Sequence, residues 1–214
     1  MGYSSGTVYW YGSPRPALAR LSDTESAALA VVRSSIRDGT GVVFSGRVGA
    51  GKTTLMAEID FWLAMRVSEP RTVQRFWLGQ PMWTDADAYC HDVMRSIDYG
   101  RQFPDWSDDY SAEGIASRAP RLFLDDLGVE RPTEYNADVL TRLLYARYTR
   151  NLPTWITTNL TTAAIAERYG DRILSRLVER SRFIALSGAD RRPSLSHQIR
   201  GPRRVEELHG LAKG

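Results

Sequence analysis

The residues best equipped for chemistry form one run, Gly46-Arg47-Val48-Gly49-Ala50-Gly51-Lys52-Thr53. It fits the GxxxxGK(S/T) pattern of a phosphate-cradling loop. Glycines let the backbone approach phosphate oxygens closely, in conformations that a Cβ would disfavour. Converging backbone N–H groups at a helix N-terminus then favour negative charge. In this reading Gly46, Gly49, Ala50, Gly51, Lys52, Thr53 and Thr54 bind a nucleoside triphosphate. Lys52 reaches the β- and γ-phosphates, and the Thr53 hydroxyl holds Mg²⁺.

A second set of polar groups follows. Leu122-Phe123-Leu124 is a short apolar run leading into Asp125-Asp126-Leu127-Gly128. A buried parallel strand with carboxylates at its C-terminal end puts them where open α/β sheets bind ligands. Asp125 is the candidate for Mg²⁺ and Asp126 for the base that orients an attacking water. Thr154-Trp155-Ile156-Thr157-Thr158-Asn159 reads as another strand, ending in a residue able to hydrogen-bond a γ-phosphate. Arg172 and Arg176 are four apart and share one helical face. Two readings stand for them: a solvated face, or arginine fingers reaching a neighbouring subunit's triphosphate. In GTPases such a finger contributes about 10³–10⁵ in rate.

These groups need a scaffold. Val42-Val43-Phe44 reads as the buried strand before the phosphate loop, and Thr53 to Arg66 as the helix after it. Upstream, Asp23 to Ile36 carries apolar residues near helical spacing, ended by Gly39-Thr40-Gly41. Downstream, Val73 to Leu78 reads as a second strand. Thr84-Asp85 reads as the cap of a helix from Ala86 to Ile97, and residues 98–112 as a surface loop. A helix carries Val139, Leu140, Leu143, Leu144 and Tyr148 as a core stripe, and Asn151-Leu152-Pro153 turns the chain into the next strand. A further helix runs from Ala163 to Tyr169 and stops at Gly170; Asp171 reads as the cap of another ending near Arg180.

The 214 residues suit one α/β domain with a sizeable core. No apolar run approaches the ~18 residues of a membrane span. The N-terminal residues do not resemble a signal peptide. The single Cys90 excludes an internal disulfide and fits a reducing cytoplasm. Cys90-His91 has no partner at metal-ligand spacing, so no metal site built from protein ligands alone is expected. The net charge of +3 is modest, but Arg191-Arg192, Arg200 and Arg203-Arg204 cluster late. That tail is either a nucleic-acid contact or a solvated end.

In order, GRVGAGKT, LFLDDLG, LPTWITTNL and YGDRILSRLVERS resemble the AAA+ helicase-loader family of the DnaC and DnaI type, and equally the IstB transposition ATPases. The resemblance covers roughly residues 20 to 192. It implies a P-loop αβα sandwich with a central parallel sheet and little or no C-terminal lid. The implied division is an irregular arm at 1–20, an ATPase domain at 21–192 and a basic tail at 193–214. It implies that Lys52 and Thr53 contact phosphate and Mg²⁺, that Asp125 and Asp126 are the acidic pair, and that Asn159 is the first sensor. Arg176 falls where the family's trans-acting finger lies, with Arg172 in the same box. The implied partners are a DnaB-type replicative helicase, single-stranded DNA and further copies of the chain in a ring or spiral.

Two departures stand out. Only a short arm precedes the ATPase region where loaders carry a helicase-docking module; a compact phage-encoded loader would reconcile this. Thr54 replaces a frequent His. The alternatives are a transposition accessory ATPase on duplex DNA and, from another class, a small-molecule kinase.

Overall fold

The computed structural model describes residues 23–65, 82–103 and 111–187. The N-terminal arm, the expected strand at Val73–Leu78, the segment around Trp106 and everything beyond residue 187 lie outside these.

Twelve elements are described: α1 (Asp23–Asp38), β1 (Gly41–Gly46), α2 (Lys52–Met65), β2 (Met82–Asp85), α3 (Ala86–Gln102), α4 (Ala112–Arg118), β3 (Leu122–Leu127), α5 (Glu134–Thr149), β4 (Thr154–Thr158), α6 (Thr162–Tyr169), α7 (Asp171–Arg180) and β5 (Ser181–Leu186). The five strands form one sheet in the order β2-β3-β4-β1-β5, with every neighbouring pair parallel. β1, which feeds the phosphate loop, lies inside the sheet between β4 and β5.

Strand alternation divides the core in two. Val43, Leu122, Leu124 and Ile156 face a layer that includes Tyr89 of α3, Leu140 and Leu143 of α5, Ile165 of α6, and Ile173 and Leu177 of α7. Val42, Phe44, Phe123 and Trp155 face the other way, onto Val32 of α1 and Leu55, Met56 and Ile59 of α2. The result is the expected P-loop αβα sandwich, because parallel strands need both faces covered.

Several elements differ from the sequence reading. β2 has only four residues, and its last, Asp85, also caps α3 by accepting from the Ala88 N–H at 2.7 Å. A strand that merges with a helix cap shows too little alternation to be read. α3 continues through Gly100, where a Cβ would meet nothing within 4 Å, to Gln102; a helical glycine costs about 1 kcal/mol without ending the helix. α4 is a single capped segment whose buried residues, Ala112, Ala116 and Ser117, are small and form no strong apolar stripe. Gly170, at φ 89°, both ends α6 and precedes α7, so Asp171 is the first helical residue and not the cap. β5 pairs with β1 along its length, although Arg182 and Ala185 are exposed.

Candidate nucleotide site

The parallel topology brings the C-terminal ends of β1, β3 and β4 side by side, and the candidate residues sit there. Gly49 and Gly51 adopt φ values of 81° and 86°, so the loop takes backbone conformations that a side chain would strain. Lys52, only 5 % exposed, opens α2. Its Nζ donates to Gly46 O and Arg47 O, both at 2.9 Å, and to Asn159 Oδ1 at 2.5 Å. The ammonium thus ties the phosphate loop to the end of β4, joining two residues far apart in the chain. Thr53 donates from Oγ1 to Asp125 Oδ1 at 3.0 Å, tying α2 to β3. Thr54 is exposed on the first turn of α2.

The acidic pair is held unevenly. Asp125 is buried, whereas Asp126 is half-buried. In a regular strand the two would point to opposite faces, but the β3–β4 register shifts between Leu124 and Leu127. Asp126 takes φ 53° there, a left-handed conformation costing of order 1 kcal/mol outside glycine. Thr157 maintains the break: its Oγ1 accepts the Asp126 N–H at 2.8 Å and donates to Asp125 Oδ1. Thr158 Oγ1 donates to Leu127 O at 2.7 Å and so restores pairing after the shift. Burial raises the Asp125 pKa above its ordinary value. The Thr157 hydrogen bond opposes that, the neighbouring Asp126 charge adds to it, and the Thr53 bond opposes it again.

The residue set fits Mg²⁺. The ion prefers hard oxygen donors and is held by one or two carboxylates, with phosphate and water supplying the rest. Thr53 Oγ1 and Asp125 Oδ1 are such a pair. Among the described residues no group of three His, Cys, Asp or Glu side chains could hold a metal ion. Cys90 lies elsewhere: burial pushes its thiol up to about 12, which keeps it unreactive.

The arginines are placed differently. Arg176 lines a pocket with Thr154 and Ser181, the first residues of β4 and β5, at the N-terminal ends of the strands, whereas Lys52 and Asp125 sit at the C-terminal ends. Its guanidinium stacks over the α5 tyrosines, 4.1 Å from the Tyr145 ring centre and 5.2 Å from that of Tyr148. Arg172 is exposed on the first turn of α7. Sequence reasoning missed Thr157, whose partner is set only by strand pairing. It also missed Glu130, just beyond the acidic pair, whose side-chain partners, Arg168 and Tyr169, lie on α6.

No family model matches the chain, and no curated protein sequence matches it. Solved structures do. A crystal structure of the DnaC helicase loader superposes with a TM-score of 0.63 at 22 % identity, covering 84 % of this chain and 98 % of that one. A DnaI crystal structure gives 0.57 at 21 % identity, over 82 % and 88 %. AMPPCP-bound DnaA from Aquifex aeolicus gives 0.59 at 15 % identity, over 89 % and 57 %. In fold, this chain is a five-stranded parallel αβα sandwich of the kind seen in the DnaC and DnaI crystal structures.

Proposed function

We propose that this chain is a Mg²⁺-dependent ATPase acting on DNA, as a replicative-helicase loader that assembles on single-stranded DNA with ATP at subunit interfaces. The observation that carries the nucleotide reading is the convergence of Lys52, Asn159, Thr53 and Asp125 at adjacent strand ends. Lys52 would bind the β- and γ-phosphates, and Thr53 with Asp125 would hold Mg²⁺. Asp126 would orient the attacking water and hold its proton, while Asn159, already paired with Lys52, would contact the terminal phosphate. Bound Mg²⁺ would supply charge neutralisation on the phosphate oxygens.

The DNA and assembly readings have separate support. One solved neighbour is the DnaC helicase loader, and another is the replication initiator DnaA bound to AMPPCP and single-stranded DNA. Arg176 lies away from the chain's own phosphate loop, so a role at a triphosphate requires a second subunit. In a ring or spiral, α7 of one copy would face the nucleotide of the next.

The test is ATP hydrolysis by the purified protein without DNA, with single-stranded DNA and with duplex DNA, beside Lys52→Ala. Stimulation by single strands that disappears in the variant is expected. Stimulation by duplex alone would favour a transposition accessory ATPase. Hydrolysis indifferent to both would remove DNA from the reading, and absence of nucleotide binding would remove the ATPase itself.

A further inference from the structure

The turn that follows Asp126 is tied down with unusual completeness. Val129 N–H donates to Asp126 O at 3.0 Å, closing residues 126–129. Gly128, at φ 100°, lies so near Leu160 that a Cβ would come within 2.5 Å of the Leu160 Cδ1. Its N–H donates to Glu130 Oε2 at 2.8 Å, and its carbonyl accepts from Arg168 Nη1 at 3.0 Å. Arg168 Nη2 also donates to the Glu130 carbonyl and pairs with Glu130 Oε1 at 2.7 Å. The Tyr169 hydroxyl donates to the same carboxylate oxygen. Glu130 is 1 % exposed, whereas Arg168 keeps an edge to solvent.

Burying an ion pair costs desolvation that apolar packing would avoid, so it is weak evidence of a stabilising role. What the pair achieves is geometric. With Thr157 holding the Asp126 N–H, the backbone N–H and carbonyl groups of Asp126 and Gly128 are all engaged. All four bonds fall on the two residues of the turn whose φ values are positive. The network also ties this turn to the end of α6, the helix that begins just after Asn159. One buried carboxylate and one arginine therefore link the acidic strand to the element that follows the sensor strand.

We propose that Glu130 and Arg168, supported by Tyr169, are positioning residues that lock the 126–129 turn and so hold the Asp126 carboxylate in its working orientation. The inference rests on the reading of Asp126 as the residue that orients water. Arg168 acts through the backbone of Gly128 and touches no reacting atom. Nucleotide affinity, set by Lys52 and the phosphate loop, does not depend on it.

The experiment compares Arg168→Lys, which keeps the charge beside Glu130 but loses the fork that holds Gly128 O, with Tyr169→Phe, which leaves the ion pair intact. Amide exchange of residues 126–131 is measured in nucleotide-free protein, then ATP affinity, kcat and Tm, with Arg168→Lys repeated in an Asp126→Asn background. Faster exchange confined to the turn is expected in Arg168→Lys. Its kcat should fall about tenfold with ATP affinity within about twofold, and that penalty should vanish when Asp126 is already Asn. Tyr169→Phe should show the same pattern more weakly.

Unchanged exchange would overturn the lock. A lower Tm with unchanged kcat would make the network purely structural, and a penalty persisting beside Asp126→Asn would show that it does not act through Asp126. If wild type proves inactive while exchange still rises, the lock stands and the catalytic reading of Asp126 is what fails.

Discussion

If Asp125 holds Mg²⁺ as proposed, it carries two demands that conflict. A metal ligand must be ionised, yet burial holds this carboxyl above the usual range. Between the ordinary value and its own raised one, the folded protein binds more protons here than the unfolded chain does. Stability therefore falls as pH rises through that window and stays lower above it. Asp125→Asn removes the burial of charge while keeping an oxygen for Thr53 and Thr157. The nucleotide-free variant should melt higher than wild type at neutral pH, with the gain closing as pH is lowered to the ordinary carboxylate value. It should also lose the additional stabilisation that ATP with Mg²⁺ confers on wild type. Thermal melts from pH 4 to 8, with and without MgATP, measure both; a lower melting point at neutral pH would contradict the first.

At the scale of elements, Arg147 on α5 is the clearest case of a charge used as a brace. It is fully buried and donates to Thr154 Oγ1 at 2.9 Å, Ala116 O at 2.6 Å, Ala119 O at 2.9 Å and Pro153 O at 2.8 Å. Burial pushes its guanidinium down to about 9, still charged at neutral pH. The side chain gathers the end of α4, the turn after it and the start of β4. Arg147→Met would leave several buried carbonyls without a donor, at a cost of about 3 kcal/mol or more. Denaturant unfolding should show that loss, and a change under about 1 kcal/mol would mean that water replaces the guanidinium. The same elements explain what the sequence revealed. The phosphate loop, the Asp125-Asp126 pair and the β4 strand are local patterns of residue type and were legible directly. α4, β2 and β5 were not, because alanines, a merged cap and the exposed Arg182 and Ala185 hide their periodicity. Thr157, Glu130 and Arg168 acquire meaning only when β3, β4 and α6 are brought together, which no local pattern records.

For the whole molecule, the decisive geometry is that Lys52 lies beyond the C-terminal ends of the strands and Arg176 beside their N-terminal ends. If each copy supplies Arg176 to its neighbour, Arg176→Ala should bind ATP normally and fail to hydrolyse it on DNA. Mixed with Lys52→Ala, it should recover activity, since some interfaces then pair an intact lysine with an intact arginine. A mixing titration that stays flat, or a loss of ATP binding in Arg176→Ala alone, would contradict the assignment. No described helix is long and apolar enough to cross a membrane. The position of β1 has a consequence of another kind. Val42 finds its sheet neighbours in Trp155 and Arg182, both more than a hundred residues later in the chain. Such distant pairing slows folding, because a long loop must close before any contact rewards it. During synthesis the strand that feeds the phosphate loop emerges with both edges bare and waits until β4 and β5 have left the ribosome. The part of the chain that is written early is thus among the last to be assembled.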